Sequence, residues 1–144
     1  MHPFPHRYAV SAMAAPASVV TLRSAELEDI QSSAPPEFGG PAGNWSPETL
    51  FVAAIADCYI LSFRAVANAS KLEWSEIDCD AVGVLEKTAQ GLWFTVIELQ
   101  AHLRIPAGGD VARAERLLEK AEQACLVSKS LRSEVRLQTE VRVG

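Results

Sequence analysis

Apolar and polar residues alternate along two stretches in the second half of the chain, which is the period of strands with one buried face. In the first stretch, which lies between Trp93 and Ile105, the apolar positions are Ile97, Leu99, Ala101, Leu103 and Ile105. The second stretch runs from Val135 to Val143. Another strand, Ile77–Leu85, is predicted to pair with the first stretch as a hairpin with Gly91 in its turn region.

The N-terminal part of the chain contains shorter runs that are compatible with strands. Arg7–Ala12 and Ser18–Arg23 flank an Ala-Pro-Ala segment and predict two antiparallel strands, and Ala25–Ser32 is a candidate for a third. Between Ala34 and Pro47 the density of proline and glycine excludes a helix or a central strand. This segment is therefore predicted to be a shaped loop.

A helix start follows this loop. Ser46 offers a hydroxyl that can cap free N–H groups, and Pro47 fits the first helical position. Glu48 places a carboxylate at the positive end of the helix dipole. A helix is therefore predicted from Pro47 to about Ala69.

Apolar residues cover most of the circumference of this predicted helix, which indicates a helix buried inside a core. Asp57 and Arg64 interrupt its apolar surface, so a membrane span is not expected. A second helix is predicted to begin with Asp110 as its cap, and its apolar stripe ends at Cys125.

The order of these elements is typical of an α+β fold. It comprises N-terminal antiparallel strands, a long buried central helix, a second β-hairpin, a second helix and a C-terminal strand. The 144 residues, 49% of them hydrophobic, can bury a core, and no linker or repeat divides them. We therefore predict a single domain over residues 1–144.

Charge and targeting features exclude several functions. A formal net charge of -5 repels phosphate backbones, so a nucleic-acid partner is not expected. The N-terminus lacks the basic and apolar regions of a secretory signal, and no apolar run approaches the ~20 residues that span a bilayer. We expect a cytoplasmic protein with no membrane partner, in which the three cysteines are kept reduced.

The cysteines are the candidate reactive groups. A cysteine on an apolar helix, such as Cys58 or Cys125, is by itself more often a small core hydrophobe than a nucleophile. Cys79 lies between Asp78 and Asp80, whose negative charges disfavour a thiolate, so we interpret Cys79 as structural. The three histidines do not combine with cysteines or carboxylates at metal-ligand spacing, and neither a metal nor a bound cofactor is expected.

Two motifs resemble a known family. The first is the glycine-rich loop and helix start Pro36-Glu-Phe-Gly-Gly-Pro-Ala-Gly-Asn-Trp-Ser-Pro-Glu-Thr-Leu-Phe51, followed by Ala53-Ala-Ile-Ala-Asp-Cys58. The second is Ala124-Cys-Leu-Val-Ser128. Together with the order of elements, they resemble the osmotically inducible protein C and organic hydroperoxide resistance (OsmC/Ohr) proteins over nearly the whole chain.

This resemblance implies an OsmC-like fold in an intertwined homodimer that reduces hydroperoxides, preferentially organic ones, with thiols. It implies that Cys58 is the peroxidatic residue and Cys125 the resolving residue, and that a dithiol of the lipoyl type or another reduces their disulfide. It further implies that Glu48 holds an activating arginine by a bidentate pair.

The sequence departs from the family at that arginine. The matching stretches, Ala14–Ala17 and Ala34–Glu37, contain none. Arg64, Arg23 and Arg7 are the candidate substitutes that could activate Cys58. The alternative function is therefore a non-peroxidatic dimer of the same fold that binds an apolar or thiol-reactive small molecule, with Cys58 left unactivated.

Overall fold

The structure, a computed structural model, describes residues 1–144. Its elements are β1 Ser11–Met13, β2 Val20–Arg23, β3 Ile30–Ser32, a 3₁₀ turn Pro36–Phe38, α1 Pro47–Ala69, β4 Glu76–Thr88, β5 Gly91–Ile105, α2 Val111–Ala124, α3 Leu126–Lys129 and β6 Glu134–Val143. This order confirms the predicted α+β class. The chain divides into two compact units, residues 1–50 and 51–144. The single domain over 1–144 stays a prediction.

The first unit contains an antiparallel sheet in the order β1-β2-β3. Its outer strands are shorter than predicted. Arg7 precedes β1, and the first half of the Ala25–Ser32 candidate forms a turn instead of a strand. Only two side chains of this unit, Ser32 and Ser46, are buried.

The loop between β3 and α1 is shaped by hydrogen bonds and by close backbone contacts, as its glycine content predicts. Ser33 N–H donates to the Trp45 carbonyl over 2.9 Å, which closes the loop at its base. At Gly40 a Cβ atom would lie 1.7 Å from the carbonyl oxygen of Ala34, so no other residue fits there without moving the backbone.

The start of α1 is capped as predicted. Ser46 Oγ accepts a hydrogen bond from Thr49 N–H over 3.1 Å. Thr49 Oγ1 in turn accepts from Ser46 N–H over 2.8 Å, so two otherwise free donors are satisfied reciprocally.

α1 is the predicted long central helix, but a single chain buries one face of it rather than most of its apolar circumference. One face is buried, through Ile55, Tyr59, Phe63, Val66 and Ala67. The opposite face, which includes Asp57, Leu61 and Arg64, is exposed. By length and composition alone this 23-residue helix could cross a membrane, but core helices of soluble proteins pass the same test.

The second unit is built on a sheet in the order β4-β5-β6. β4 and β5 form the predicted antiparallel hairpin, and β6 pairs parallel with β5. The buried core contains α1, α2 and the inward residues of β5, which are Ile97, Leu99, Ala101, Leu103 and Ile105. Close packing of α1 on β4 requires Gly83, where a Cβ atom would lie 2.7 Å from Cγ2 of Val52.

Candidate functional site

Cys125 lies at the junction of two helices and is fully buried. It does not lie inside the second helix, as its apolar stripe predicts, because α2 ends at Ala124. Its extended backbone (φ -69°, ψ 112°) makes it both the C-cap of α2 and the N-cap of α3. This change of direction turns the chain out of α2 while the side chain stays in the core.

Cys58 reaches the same place from α1. It is half-buried, and its thiol lies close enough to the Cys125 sulfur to lower the pKa of Cys125. The next residue, Tyr59, is fully buried and donates its hydroxyl to the Leu118 carbonyl of α2 over 3.2 Å. This bond fixes α1 against α2 and therefore helps to keep the two cysteines together.

The surroundings of Cys125 favour its anionic form. Burial alone would raise the pKa of the Cys125 thiol. Four neighbouring groups have the opposite effect on the pKa, and together they lower it below the ordinary value of a cysteine. They are the Ser128 hydroxyl, the Ser128 N–H, the Cys58 thiol and the Val127 N–H. No cation is among these groups, so dipoles and hydrogen bonds alone favour the thiolate.

Cys79, on β4, has the opposite environment. Burial, the flanking carboxylates Asp80 and Asp78, and the neighbouring Cys125 raise the pKa of the Cys79 thiol to about 11. Cys79 is therefore protonated at neutral pH, in agreement with its structural interpretation. The sequence does not predict that Cys79 lies near Cys125, because 46 residues separate them along the chain and only folding brings them together.

Glu48, the predicted holder of an arginine, has no such partner. It forms no ion pair, and its Oε2 atom is buried without a hydrogen-bond partner. Arg23 pairs with Asp29 over 3.0 Å on the surface of its hairpin. Arg7 and Arg64 are exposed and form no ion pair. The candidate arginines are therefore not bound to Glu48 in a single chain.

Aromatic side chains of α1 take part in packing within the second unit. Phe51 stacks on Phe94 with ring centroids 4.9 Å apart, and Phe63 contacts Trp74 edge-on at 5.4 Å. Both rings therefore take part in core packing.

The sequence did not predict one cluster of side chains, which consists of Asp78, Asp80 and His102. Strand pairing places His102 opposite Asp78, and the ligand atoms of Asp78, Asp80 and His102 lie within 4.8 Å of one another. Nδ1 of His102 lies 2.6 Å from Oδ1 of Asp78, which raises the pKa of His102. The cluster lies on the outer face of the sheet. The spacing of these residues along the chain does not predict it, because the register of β4 with β5 brings them together.

Comparison with known proteins supplies the family. The model of the family described as OsmC-like protein matches residues 40–140, which include Cys58, Cys125 and the second part of the glycine-rich loop. The chain belongs to the OsmC-like protein family. It is 36% identical over 110 residues to an organic hydroperoxide resistance protein of Xanthomonas axonopodis pv. citri, and the match covers 74% of each chain.

Solved structures of OsmC-like proteins agree with this fold. An OsmC-like protein of unknown function from Vibrio cholerae has a TM-score of 0.86 at 21% identity, covering 94% of this chain and all of its own. An organic hydroperoxide resistance protein from Legionella pneumophila has a TM-score of 0.77 at 27% identity, covering 98% of this chain and all of its own. The family and fold expected from the loop and cysteine motifs are thus confirmed.

Proposed function

We propose that this OsmC-like protein reduces organic hydroperoxides through Cys58 and Cys125. The observation that carries the proposal is the contact between the Cys58 thiol on α1 and the buried Cys125 sulfur at the end of α2. A cysteine that becomes oxidised needs a second thiol within reach before further oxidation makes the damage irreversible. The two cysteines meet this need.

The chemistry has three steps. The Cys58 thiolate attacks one peroxide oxygen and the O–O bond breaks. The alkoxide takes up a proton and departs as an alcohol, and Cys58 becomes a sulfenic acid. The Cys125 thiolate then attacks that sulfur, and the displaced hydroxide leaves as water. A dithiol, of the lipoyl type or another, reduces the resulting disulfide and resets both thiols.

Burial divides the roles between the two cysteines. Cys58 is half-buried, so a small peroxide can approach it, whereas Cys125 is fully buried. This difference supports Cys58 as peroxidatic and Cys125 as resolving. Relatives named for organic hydroperoxide resistance support the same class of substrate.

Such a cycle operates in a compartment that keeps thiols reduced, and we therefore propose the cytoplasm.

A homodimer forms part of the proposal. The first unit exposes Val10, Met13 and Ile30, and one face of the largely apolar α1 is also exposed. A second copy of the chain would cover these surfaces. Light scattering coupled to gel filtration is expected to give twice the mass of one chain, and a monomer at micromolar concentration would contradict the dimer.

The central experiment follows the thiols during one turnover. One equivalent of cumene hydroperoxide is added to the reduced protein, free thiols are alkylated, and the digest is mapped by mass spectrometry. We expect a Cys58–Cys125 disulfide in the wild type and in the matched control Cys79→Ser. Cys58→Ser should consume no peroxide, and Cys125→Ser should accumulate sulfenic and sulfinic acid at Cys58. If no crosslink between these two cysteines forms, the proposed mechanism is wrong.

The unpaired carboxylate of Glu48 favours one alternative, a dimer of this fold that binds an apolar or thiol-reactive molecule without reducing peroxide. Peroxide consumption separates the two functions, because the alternative predicts equal rates for the wild type and Cys58→Ser.

Under the main proposal, one of Arg64, Arg23 and Arg7 activates Cys58. Replacing that arginine by glutamine should slow peroxide consumption, whereas the other two replacements should not.

A further inference from the structure

Three ionisable side chains form one row across the outer face of the second sheet. Strand pairing places Asp78 of β4 opposite His102 of β5, and His102 opposite Glu140 of β6. Since β5 is the central strand, His102 has a carboxylate of an edge strand on each side. The side chain of His102 is 26% exposed, so water screens its charge less than that of a fully exposed group.

Both ring nitrogens of His102 face carboxylate oxygens. Nδ1 lies 2.6 Å from Oδ1 of Asp78, and Nε2 lies 3.9 Å from Oε2 of Glu140. A neutral imidazole has a single N–H, so it can donate to one carboxylate while its other nitrogen presents a lone pair to the second. The imidazolium ion has two N–H groups and attracts both carboxylates. Protonation therefore decides whether His102 is held by one edge strand or by both.

The neighbouring rows of the sheet do not neutralise these carboxylates. In one of them, Arg104 lies 3.9 Å from Glu76, while Arg142 lies 2.7 Å from Glu140. Neither Asp78 nor Asp80 forms an ion pair with an arginine or a lysine. The charged groups around His102 are Glu76, Asp78 and Asp80 on β4, Arg104 on β5, and Glu140 and Arg142 on β6. Carboxylates outnumber guanidinium groups in this set, which favours a proton on the imidazole.

We propose that His102 is a pH-sensitive link that, when protonated, joins both edge strands, β4 and β6, to the central strand β5. The residues before and after it, Ala101 and Leu103, are buried in the core that α1 and α2 share with this sheet. Protonation of His102 therefore stabilises the sheet against which these two helices pack. The link is independent of the peroxidase cycle proposed above.

The direction of the pH dependence follows from the proton affinity of His102. The hydrogen bond to Asp78, with the charges of Asp78, Glu140 and Asp80, raises the pKa of His102 above its ordinary value of 6.5, although burial lowers it. The folded protein therefore binds this proton more tightly than the unfolded chain does. The resulting stabilisation is complete below pH 6.5 and is lost as the pH rises through the pKa of His102 in the folded protein.

The first test follows the ring ¹⁵N signals of His102 against pH. Asp78→Asn and Glu140→Gln should each lower the pKa of His102, and the double variant should lower it further, because each substitution removes one negative charge from the row. The matched control is Glu134→Gln, which also breaks an ion pair with an arginine on β6 but lies at the opposite end of that strand. It should leave the pKa of His102 unchanged.

The second test compares urea unfolding of the wild type and His102→Gln at pH 5.5, 7 and 8.5, at one fixed protein concentration. Glutamine keeps an N–H donor but never becomes charged. A partly exposed ion pair changes an unfolding equilibrium constant by about twofold to fivefold. The constant of His102→Gln should exceed that of the wild type by about this factor at pH 5.5, and the difference should shrink toward pH 8.5. His6→Gln, in the exposed N-terminal segment, should show no such trend.

The two tests examine different parts of the proposal. If Glu140→Gln leaves the pKa of His102 unchanged, only one edge strand is linked and the proposal is wrong. An equal change in Glu134→Gln would also overturn it, because the effect would then not depend on the row. A ratio of unfolding constants that is the same at pH 5.5 and pH 8.5 would mean that His102 contributes packing alone, which again contradicts a link made by protonation.

Discussion

The hydrogen bond between Tyr59 and Leu118 offers a test of how α1 is held against α2. Tyr59 is fully buried, and its hydroxyl donates to a carbonyl of α2 from a position next to Cys58. Tyr59→Phe removes this bond and little else. A buried hydrogen bond of this kind contributes about 1 kcal/mol to the free energy of unfolding, so the variant should be less stable by that amount at pH 7.

The sign of this difference should reverse at alkaline pH. Burial, with the charges of Cys79 and Glu122, raises the pKa of Tyr59 well above its ordinary value of 10.0. In the unfolded chain this tyrosine ionises above pH 10, whereas in the folded protein it stays protonated. Its contribution is therefore complete below pH 10, and the wild type loses about 1.4 kcal/mol of stability per pH unit above it. Tyr59→Phe avoids this loss, so the two stability curves should cross near pH 11.

The assay is urea unfolding followed by circular dichroism at pH 7, 9, 10, 11 and 12, at one fixed protein concentration. Other groups titrate identically in the wild type and in Tyr59→Phe, and their effects cancel in the difference. Tyr8→Phe is the matched control, since Tyr8 is the other tyrosine and is 89% exposed. It should follow the wild type at every pH. Equal stabilities of Tyr59→Phe and wild type at pH 7, or parallel curves above pH 10, would refute the reasoning.

Three further predictions concern packing and ionisation. Phe63→Ala should lower the free energy of unfolding by about 3–5 kcal/mol in urea titrations, because Phe63 is fully buried, whereas Leu61→Ala on the exposed face of the same helix should cost far less. Cys79 should resist iodoacetamide at pH 8, because its thiol has a pKa of about 11, and rapid labelling in a Cys58→Ser background would contradict this. His102 should titrate above its ordinary pKa of 6.5 in NMR spectra, and Asp78→Asn should return it toward that value.

Most of the fold was predictable because its elements carry periodic patterns. The alternation that ends at Ile105 identified β5, and the Ser46 cap located the start of α1. The short strands β1 and β3 were less well predicted, because runs of three residues contain too few positions to establish a period. The burial of α1 was overestimated, because an apolar circumference does not reveal how much of it one chain can cover.

The candidate site was predicted only in part. The family motifs singled out Cys58, Cys125 and Glu48, but they did not indicate that Glu48 would have a buried oxygen without a partner.

The sequence by itself determined which residues are thiols, where the helices begin and which face of β5 is buried. These properties depend on local chemistry and on short-range periodicity, both of which are determined by residues close together in the sequence. Only the tertiary structure decided that the thiols of Cys58 and Cys125 meet, that Cys79 lies near Cys125, and that Cys125 rather than Cys79 is favoured as a thiolate. Ionisation depends on burial and on neighbouring dipoles, and residues distant in the chain supply these only after it has folded.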